Sequence, residues 1–82
     1  MKKKNRLKQI ITERLYLQNK DKAFGEPIRF IKDEIMDLSK ALKCSYRTAY
    51  NWYMNKFQPD GENRPKLAEH YGYSEENFYF DK

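Results

Sequence analysis

The residues best suited to chemistry lie in the segment SYRTAYNWYMNK, which runs from Ser45 to Lys56. If this segment is helical, one face carries Ala49, Trp52, Tyr53 and Lys56. The opposite face then carries polar and aromatic side chains and no acid: Tyr46, Arg47, Tyr50, Asn51 and Met54. Arginine pairs with guanine through two hydrogen bonds, asparagine pairs similarly with adenine, and tyrosine offers a hydroxyl and an apolar ring to thymine. This second face therefore has the chemistry needed to read the edges of DNA base pairs.

The chain offers little with which to build an active site or a metal centre. Cys44 is the only cysteine, which excludes an internal disulfide and a cluster of thiolate ligands. His70 is the only histidine, and no third group stands out that would join it and Cys44. We therefore expect a protein that is not an enzyme and needs no cofactor or metal, with Cys44 as a small apolar residue at a turn.

Basic residues are concentrated in the first three quarters of the chain. Residues 1–59 hold 14 Lys and Arg against 6 Asp and Glu, a balance of +8, whereas residues 60–82 hold 3 against 6, a balance of −3. A chain tolerates such an excess more easily when a polyanion neutralises it, and nucleic acid is the first candidate. A solvated, lysine-rich surface from an organism with an AT-rich genome is the alternative, so charge alone does not decide.

The length of 82 residues allows one small domain, over residues 1–82. No apolar run approaches membrane-spanning length. The first residues, MKKKNRLKQII, are basic but lack the apolar stretch and the small-residue cleavage site of a signal peptide. We therefore expect a cytoplasmic protein.

Five segments have apolar residues at helical spacing, which predicts an all-α bundle of about five short helices. The predicted helices cover residues 5–19, 27–42, 46–56 and 62–72, with a last short one after Ser74. The spacing in the second segment points five residues inward: Ile28, Ile31, Ile35, Leu38 and Leu42. Because Trp52 lies opposite the polar face of the third segment, we expect it in the core.

Residues that start and stop helices occur between these segments. Asn5 and Ser45 are suitable N-caps for the first and third helices, and Gly72 is a suitable C-terminal stop for the fourth. Asp33 lies inside the second segment, where it could cap a shorter helix instead.

The segment DLSKALKCSYRTAYNWYMNK resembles the helix-turn-helix of phage Cro and repressor proteins, the XRE family. The match continues with QP after the third helix and with KLAEHYGYSEENF, and it covers roughly residues 31–79. The resemblance implies a lambda-repressor-like bundle with the motif at about residues 33–56 and a recognition helix over residues 46–55. Relatives usually have glycine at the turn position of Lys43, where a left-handed backbone would cost about 1 kcal/mol.

The resemblance also implies how such a protein contacts double-stranded DNA. The first, second and sixth positions of the recognition helix reach base edges, and these are Tyr46, Arg47 and Asn51, with Tyr50 one turn further along the groove. Contacts to the DNA backbone are expected from the turn, the helix start and the residues after the helix. These candidates are Lys43, Ser45, Thr48, Asn55 and Lys56.

Residues 1–5 are expected to form a flexible basic tail. It would either follow the DNA backbone as a loose arm or remain a solvated segment that aids solubility. The candidate arm residues are Lys2, Lys3, Lys4 and Arg6.

The C-terminal segment YSEENFYF holds four aromatic residues in eight positions. If the core cannot bury them all, the remainder form an apolar patch that marks an interaction surface. We expect a homodimer that uses Phe78, Tyr79 or Phe80 and binds an inverted-repeat operator, although the rings could instead fold onto their own core.

The combined interpretation is a transcriptional repressor or regulator from a phage, a plasmid or another bacterial mobile element, associated with the nucleoid. A protein-interaction adapter or inhibitor built on the same fold is the alternative.

Overall fold

The computed structural model describes residues 3–22, 25 and 28–81, and it is mostly helical, as predicted. The five helices are α1 (Leu7–Asn19), α2 (Ile31–Ala41), α3 (Tyr46–Tyr53), α4 (Asn63–His70) and α5 (Glu75–Phe78). Two short strands, β1 (Lys3–Asn5) and β2 (Tyr79–Asp81), bring the two ends of the described chain together. No helix in the described ranges is both long enough and apolar enough to cross a membrane.

The hydrophobic core consists of apolar side chains from all five described helices. Trp52 is only 4% exposed and Ala49 is fully buried, which confirms the predicted inward face of α3. Tyr53 of α3, Tyr79 of β2 and residues from the other helices complete the cluster, the last being Leu7, Ile10, Ile11, Ile35, Leu38, Leu67, Ala68 and Phe78. Each large apolar side chain buried in this way contributes about 1.5–3 kcal/mol, so the core is the main reason that these short helices hold together.

Capping residues explain where the helices begin. The hydroxyl of Ser45 accepts a hydrogen bond from the Thr48 backbone N–H at 3.1 Å, which confirms Ser45 as the N-cap of α3. The N-cap position of α1 is Arg6, which forms no side-chain capping bond, so the prediction that Asn5 is the N-cap is wrong. Asn5 lies one residue earlier, and its side-chain oxygen accepts a bond from the Leu7 N–H at 2.9 Å.

The second helix is shorter than its apolar spacing predicted, and it begins at Ile31. Phe30 is the N-cap of this helix, so the prediction that Asp33 caps a shorter helix is wrong. Asp33 lies in the first turn, where its carboxylate accepts a hydrogen bond from the Phe30 backbone N–H at 2.9 Å. Ile28 and Ile31 are 55% and 42% exposed, so the prediction that they point inward is wrong. Helical spacing does not extend to Ile28, because it lies before the helix starts.

The pairing of β1 with β2 is the feature that an all-α fold does not include. The strands are antiparallel, with Lys4 opposite Phe80 and Asn5 opposite Tyr79. The expectation of a flexible tail is therefore wrong for residues 3–5, because their backbone is hydrogen-bonded to the C-terminal strand. Lys2 and the side chain of Lys3 lie outside the described part of the chain.

The C-terminal aromatic residues face inward more than expected. Phe78 is fully buried and Tyr79 is 3% exposed, so neither belongs to an exposed apolar patch. The Tyr79 hydroxyl donates a 2.8 Å hydrogen bond to the Arg64 carbonyl, and burial raises its pKa above the usual value. Phe80 is half-buried, and the Arg6 guanidinium lies 5.1 Å from the centre of its ring. The alternative that the rings fold onto their own core therefore holds for Phe78 and Tyr79, whereas Tyr73 is 37% exposed.

A cluster of charged side chains joins α1 to α2, and no sequence pattern predicted it. Glu34 is buried, and its carboxylate accepts hydrogen bonds from Arg14 Nε at 3.2 Å and Arg29 Nη2 at 2.7 Å. Arg29 also pairs with Asp37 at 2.6 Å, and the bonds to both carboxylates raise the pKa of its guanidinium. Burial, assisted by the nearby charge of Glu34, raises the pKa of Tyr71 to about 12. We call Arg14, Arg29, Glu34 and Asp37 the Glu34 cluster.

Candidate nucleic-acid interface

A turn over residues 42–45 positions α3 against α2. Lys43 has a φ of +54°, so the residue that occupies the glycine position does adopt the left-handed conformation. That conformation costs about 1 kcal/mol in a residue with a side chain. The Cys44 N–H donates a 2.9 Å bond to the Ser39 carbonyl, which secures the turn to the end of α2.

Two neighbouring rows of side chains run along α3, and the first of them ends in the hydrophobic core. The first row consists of Tyr46, Tyr50 and Tyr53, whose rings follow one another with 6.2 Å between neighbouring centroids. Tyr46 and Tyr50 are nearly parallel, at 12° between their planes. Tyr53 is buried, and that burial, assisted by Tyr50, raises the pKa of its hydroxyl. We call these three residues the tyrosine row.

The second row lies beside the first and consists of Arg47, Asn51 and Met54, one helical turn apart from each other. Arg47 and Met54 are exposed, and Asn51 is half-buried. The four candidate base-contact residues, Tyr46, Arg47, Tyr50 and Asn51, thus share one face of α3. Within the described residues, none of their side chains forms a hydrogen bond to another part of the protein, so their donors and acceptors are available to a ligand.

The candidate contacts to the DNA backbone differ in how their side chains are used within the protein. Lys43 and Lys56 are exposed near the two ends of α3, and neither forms an ion pair with another described residue. Ser45 and Thr48 lie at the start of the helix, where their hydroxyls are 2.9 Å apart and hydrogen-bonded. Asn55 differs, because its side chain is used inside the protein.

Asn55 belongs to a polar cluster that fastens β1 to the end of α3. Its side-chain oxygen accepts bonds from the Asn5 backbone N–H at 2.8 Å and from Gln58 Nε2 at 3.0 Å. Asn5 is only 3% exposed, and its side-chain amide donates to the Trp52 carbonyl at 3.0 Å and to Gln58 Oε1 at 2.7 Å. We call Asn5, Asn55 and Gln58 the asparagine cluster. The structure therefore gives Asn55 a different role from the predicted contact with the DNA backbone.

The sequence pattern suggested Asn5 as the start of α1 but did not predict its contact with Asn55. Asn55 has a φ of +59°, a left-handed conformation that asparagine tolerates better than most residues, but the sequence does not show that angle. The contact joins residues 50 positions apart, and no periodic pattern connects them.

The acidic residues are placed so that the surface around α3 is basic. Residues 1–12 and 38–59 contain no Asp or Glu, yet they hold nine of the 17 basic residues. Several described acids have basic partners elsewhere: Glu34 and Asp37 in the Glu34 cluster, Glu62 beside Lys66, and Glu75 beside Arg64. The two acid-free segments meet at the asparagine cluster, which lies at the C-terminal end of α3.

The remaining reactive residues do not gather into a second site. Cys44 is half-buried, and burial raises the pKa of its thiol. His70 is exposed with its ring edge-on to Tyr71, 4.8 Å between centroids. In the described ranges, no three His, Cys, Asp or Glu residues are grouped so that they could hold a metal ion. No family model matches the chain, and neither a curated protein nor a solved structure matches it significantly.

Proposed function

We propose that the protein binds double-stranded DNA in a sequence-specific manner, with α2 and α3 acting as a helix-turn-helix and α3 as its recognition helix. The observation that carries this proposal is the exposed face of α3, which presents hydrogen-bonding and aromatic side chains, contains no acid and is flanked by Lys43 and Lys56. A face that was only solvated would ordinarily mix both signs of charge.

In this proposal the two rows on α3 have different tasks. Arg47 and Asn51 form bidentate hydrogen bonds with base edges in the major groove. Tyr46 and Tyr50 lie against the groove wall, where a ring contacts a thymine methyl or a sugar. Lys43 and Lys56 neutralise phosphates near the two ends of the helix, and the hydroxyls of Ser45 and Thr48 add contacts to the backbone.

The proposed biological role is repression or another form of transcriptional regulation, for a phage, a plasmid or a similar bacterial element. An eight-residue helix is about 12 Å long, so one copy contacts only a few base pairs. We therefore propose that two copies bind an inverted repeat, with half-sites one helical turn apart. Repression would follow from covering a promoter, which requires neither an enzymatic activity nor a cofactor.

The dimer contact of this proposal cannot rest on Phe78 and Tyr79, since both are buried in their own core. Phe80 remains available in part. More exposed apolar side chains lie near the C-terminal end of α1, at Tyr16 and Leu17. Others lie in the segment before α2, at Ile28 and Phe30.

The same exposed apolar residues favour a second candidate function, that of a protein-interaction adapter or inhibitor. Exposed apolar side chains that lie near one another often mark a surface that binds another protein. Such a protein would bind its partner through Tyr16 and Leu17 and would leave the face of α3 without a ligand.

Fluorescence anisotropy with a labelled random-sequence duplex separates the two functions. DNA binding predicts an affinity that falls steeply and linearly in a plot of log affinity against log salt concentration. The control is the same protein with Arg47, Lys43 and Lys56 changed to Gln, which should lose most of that affinity. Absence of duplex binding at 50 mM salt would contradict the DNA-binding function and leave the adapter.

A further inference from the structure

Lys8 extends the basic surface of α3 onto the first helix. Its ammonium nitrogen lies 5.8 Å from the centre of the Tyr53 ring, at the end of the tyrosine row. Lys8 is exposed, and it forms no ion pair with another described residue. A cation from a different helix therefore lies beside the last ring of the tyrosine row.

The asparagine cluster holds Lys8 in that place. Asn5 bonds to Leu7 at the start of α1 and, through its side-chain amide, to the Trp52 carbonyl at the end of α3. Because buried hydrogen bonds are costly to break, the first turn of α1 keeps a defined position relative to α3. A lysine whose backbone is positioned in this way loses less freedom when it binds an anion than one on a loose arm does.

The neighbouring basic residues are not equivalent to Lys8. Arg6 already donates a 2.7 Å hydrogen bond to the Asn77 carbonyl, and its guanidinium covers the Phe80 ring. Lys56 resembles Lys8 more closely, because it is exposed and lies three residues after Tyr53, just beyond the C-terminal end of α3. The first acid along α1 is Glu13, which lies more than one helical turn beyond Lys8.

We propose that Lys8, together with Lys56, binds the phosphates of the DNA strand that lies along the tyrosine row. This inference rests on the proposed function, and it adds a contact from α1 to a surface otherwise built from the turn and α3. In this arrangement the row of Arg47 and Asn51 meets the bases, while Tyr46, Tyr50 and Lys8 follow the sugar–phosphate backbone and Tyr53 stays in the core. Lys8 then contributes to affinity on every sequence and does not contribute to the choice of sequence.

The test compares Lys8→Gln with Lys20→Gln, a matched control at the C-cap of the same helix. Lys20 is also exposed and carries the same charge, but it lies 12 residues away, or about 18 Å along the helix axis. Affinity is measured between 50 and 300 mM salt on a random duplex and on a duplex selected for tight binding. The double variant Lys8→Gln/Lys56→Gln and the unchanged protein complete the set, and a thermal melt of each variant verifies that it folds.

We expect Lys8→Gln to reduce the salt slope by about 0.9 and the double variant by about twice that amount, while Lys20→Gln leaves the slope unchanged. The loss should be equal on the two duplexes. Equal slopes for Lys8→Gln and Lys20→Gln, on a duplex that the unchanged protein binds, would overturn the role of Lys8 alone. A loss confined to the selected duplex would also overturn it, because that is the behaviour of a base contact. Failure of the unchanged protein to bind either duplex would instead overturn the proposed function, and the role of Lys8 with it.

Discussion

The Glu34 cluster and the exposed face of α3 are both rich in hydrogen-bonding side chains, but they differ in whether their charged groups have ion-pair partners. In the Glu34 cluster the buried carboxylate has two arginine partners, and Arg29 is shared with Asp37. On α3, Arg47 is exposed and has no ion-pair partner within the described residues. The first arrangement satisfies its charges internally, whereas the second leaves its hydrogen-bonding groups for another molecule.

This difference separates the polar residues that support the fold from those that are free to bind. Removing one partner from a buried group leaves the other without compensation, which lowers stability. Removing an exposed, unpartnered side chain changes stability by less than about 0.5 kcal/mol. A substitution that lowers stability but leaves DNA binding unchanged therefore indicates a residue that supports the fold. A substitution that weakens DNA binding but leaves stability unchanged indicates a residue of the binding face.

The largest expected effect is on the side of α3 that faces the core. Trp52→Ala removes an aromatic side chain that is almost fully buried and should lower the free energy of unfolding by about 3–5 kcal/mol. Urea denaturation followed by circular dichroism measures this change. Unchanged stability would mean that the buried and exposed faces of α3 have been assigned the wrong way round.

The next effect tests the Glu34 cluster. Glu34→Gln removes the charge that Arg14 and Arg29 share and should lower stability by about 2 kcal/mol, as expected for charged hydrogen bonds. Asp37→Asn is the control, because Asp37 is exposed and its pair with Arg29 should contribute less than about 1 kcal/mol. Equal losses from the two variants would contradict the distinction between a buried and an exposed partner. DNA affinity should stay the same wherever the variants remain folded.

The opposite pattern is expected for Arg47→Ala. It should remove about 1–3 kcal/mol of discrimination at one base-pair position and leave stability within about 0.5 kcal/mol. Lys56→Ala is the comparison, since a phosphate contact should weaken binding to selected and random duplexes alike. Direct readout by Arg47 would be refuted if both variants lost the same affinity on both duplexes.

The smallest effect concerns the left-handed turn between α2 and α3. Lys43→Gly should relieve the strain at the φ of +54° and raise stability by up to about 1 kcal/mol, while it removes one phosphate contact. A higher melting temperature with weaker duplex binding is the expected result. A lower melting temperature would show that the Lys43 side chain stabilises the turn by more than its backbone strain costs.

Elements whose cause lies within a few neighbouring residues could be predicted from the sequence. The spacing around Trp52 placed the buried face of α3, and Ser45 marked the start of that helix, because a cap needs only a hydroxyl and a nearby N–H. The candidate base-contact residues share a face for the same local reason. Apolar spacing alone failed at Ile28, where the helix had not yet begun.

Features that depend on distant residues could not be predicted in this way. The pairing of β1 with β2 joins the two ends of the chain, and strands of three residues are too short to show alternation. The asparagine cluster likewise joins residues 50 positions apart, and the burial of Phe78 and Tyr79 depends on how much volume the other helices leave. These long-range contacts changed the expected tail into a strand and made Lys8 a neighbour of α3.

The most direct test of the central claim is selection of bound sequences from a random duplex pool, followed by repetition with Arg47→Ala. If the exposed face of α3 reads DNA, the unchanged protein should enrich a short motif, and the variant should lose the preference at one position in each half-site while keeping the others. Enrichment of no motif by a protein that is folded and monodisperse would contradict the claim. So would a motif that Arg47→Ala leaves unchanged at every position.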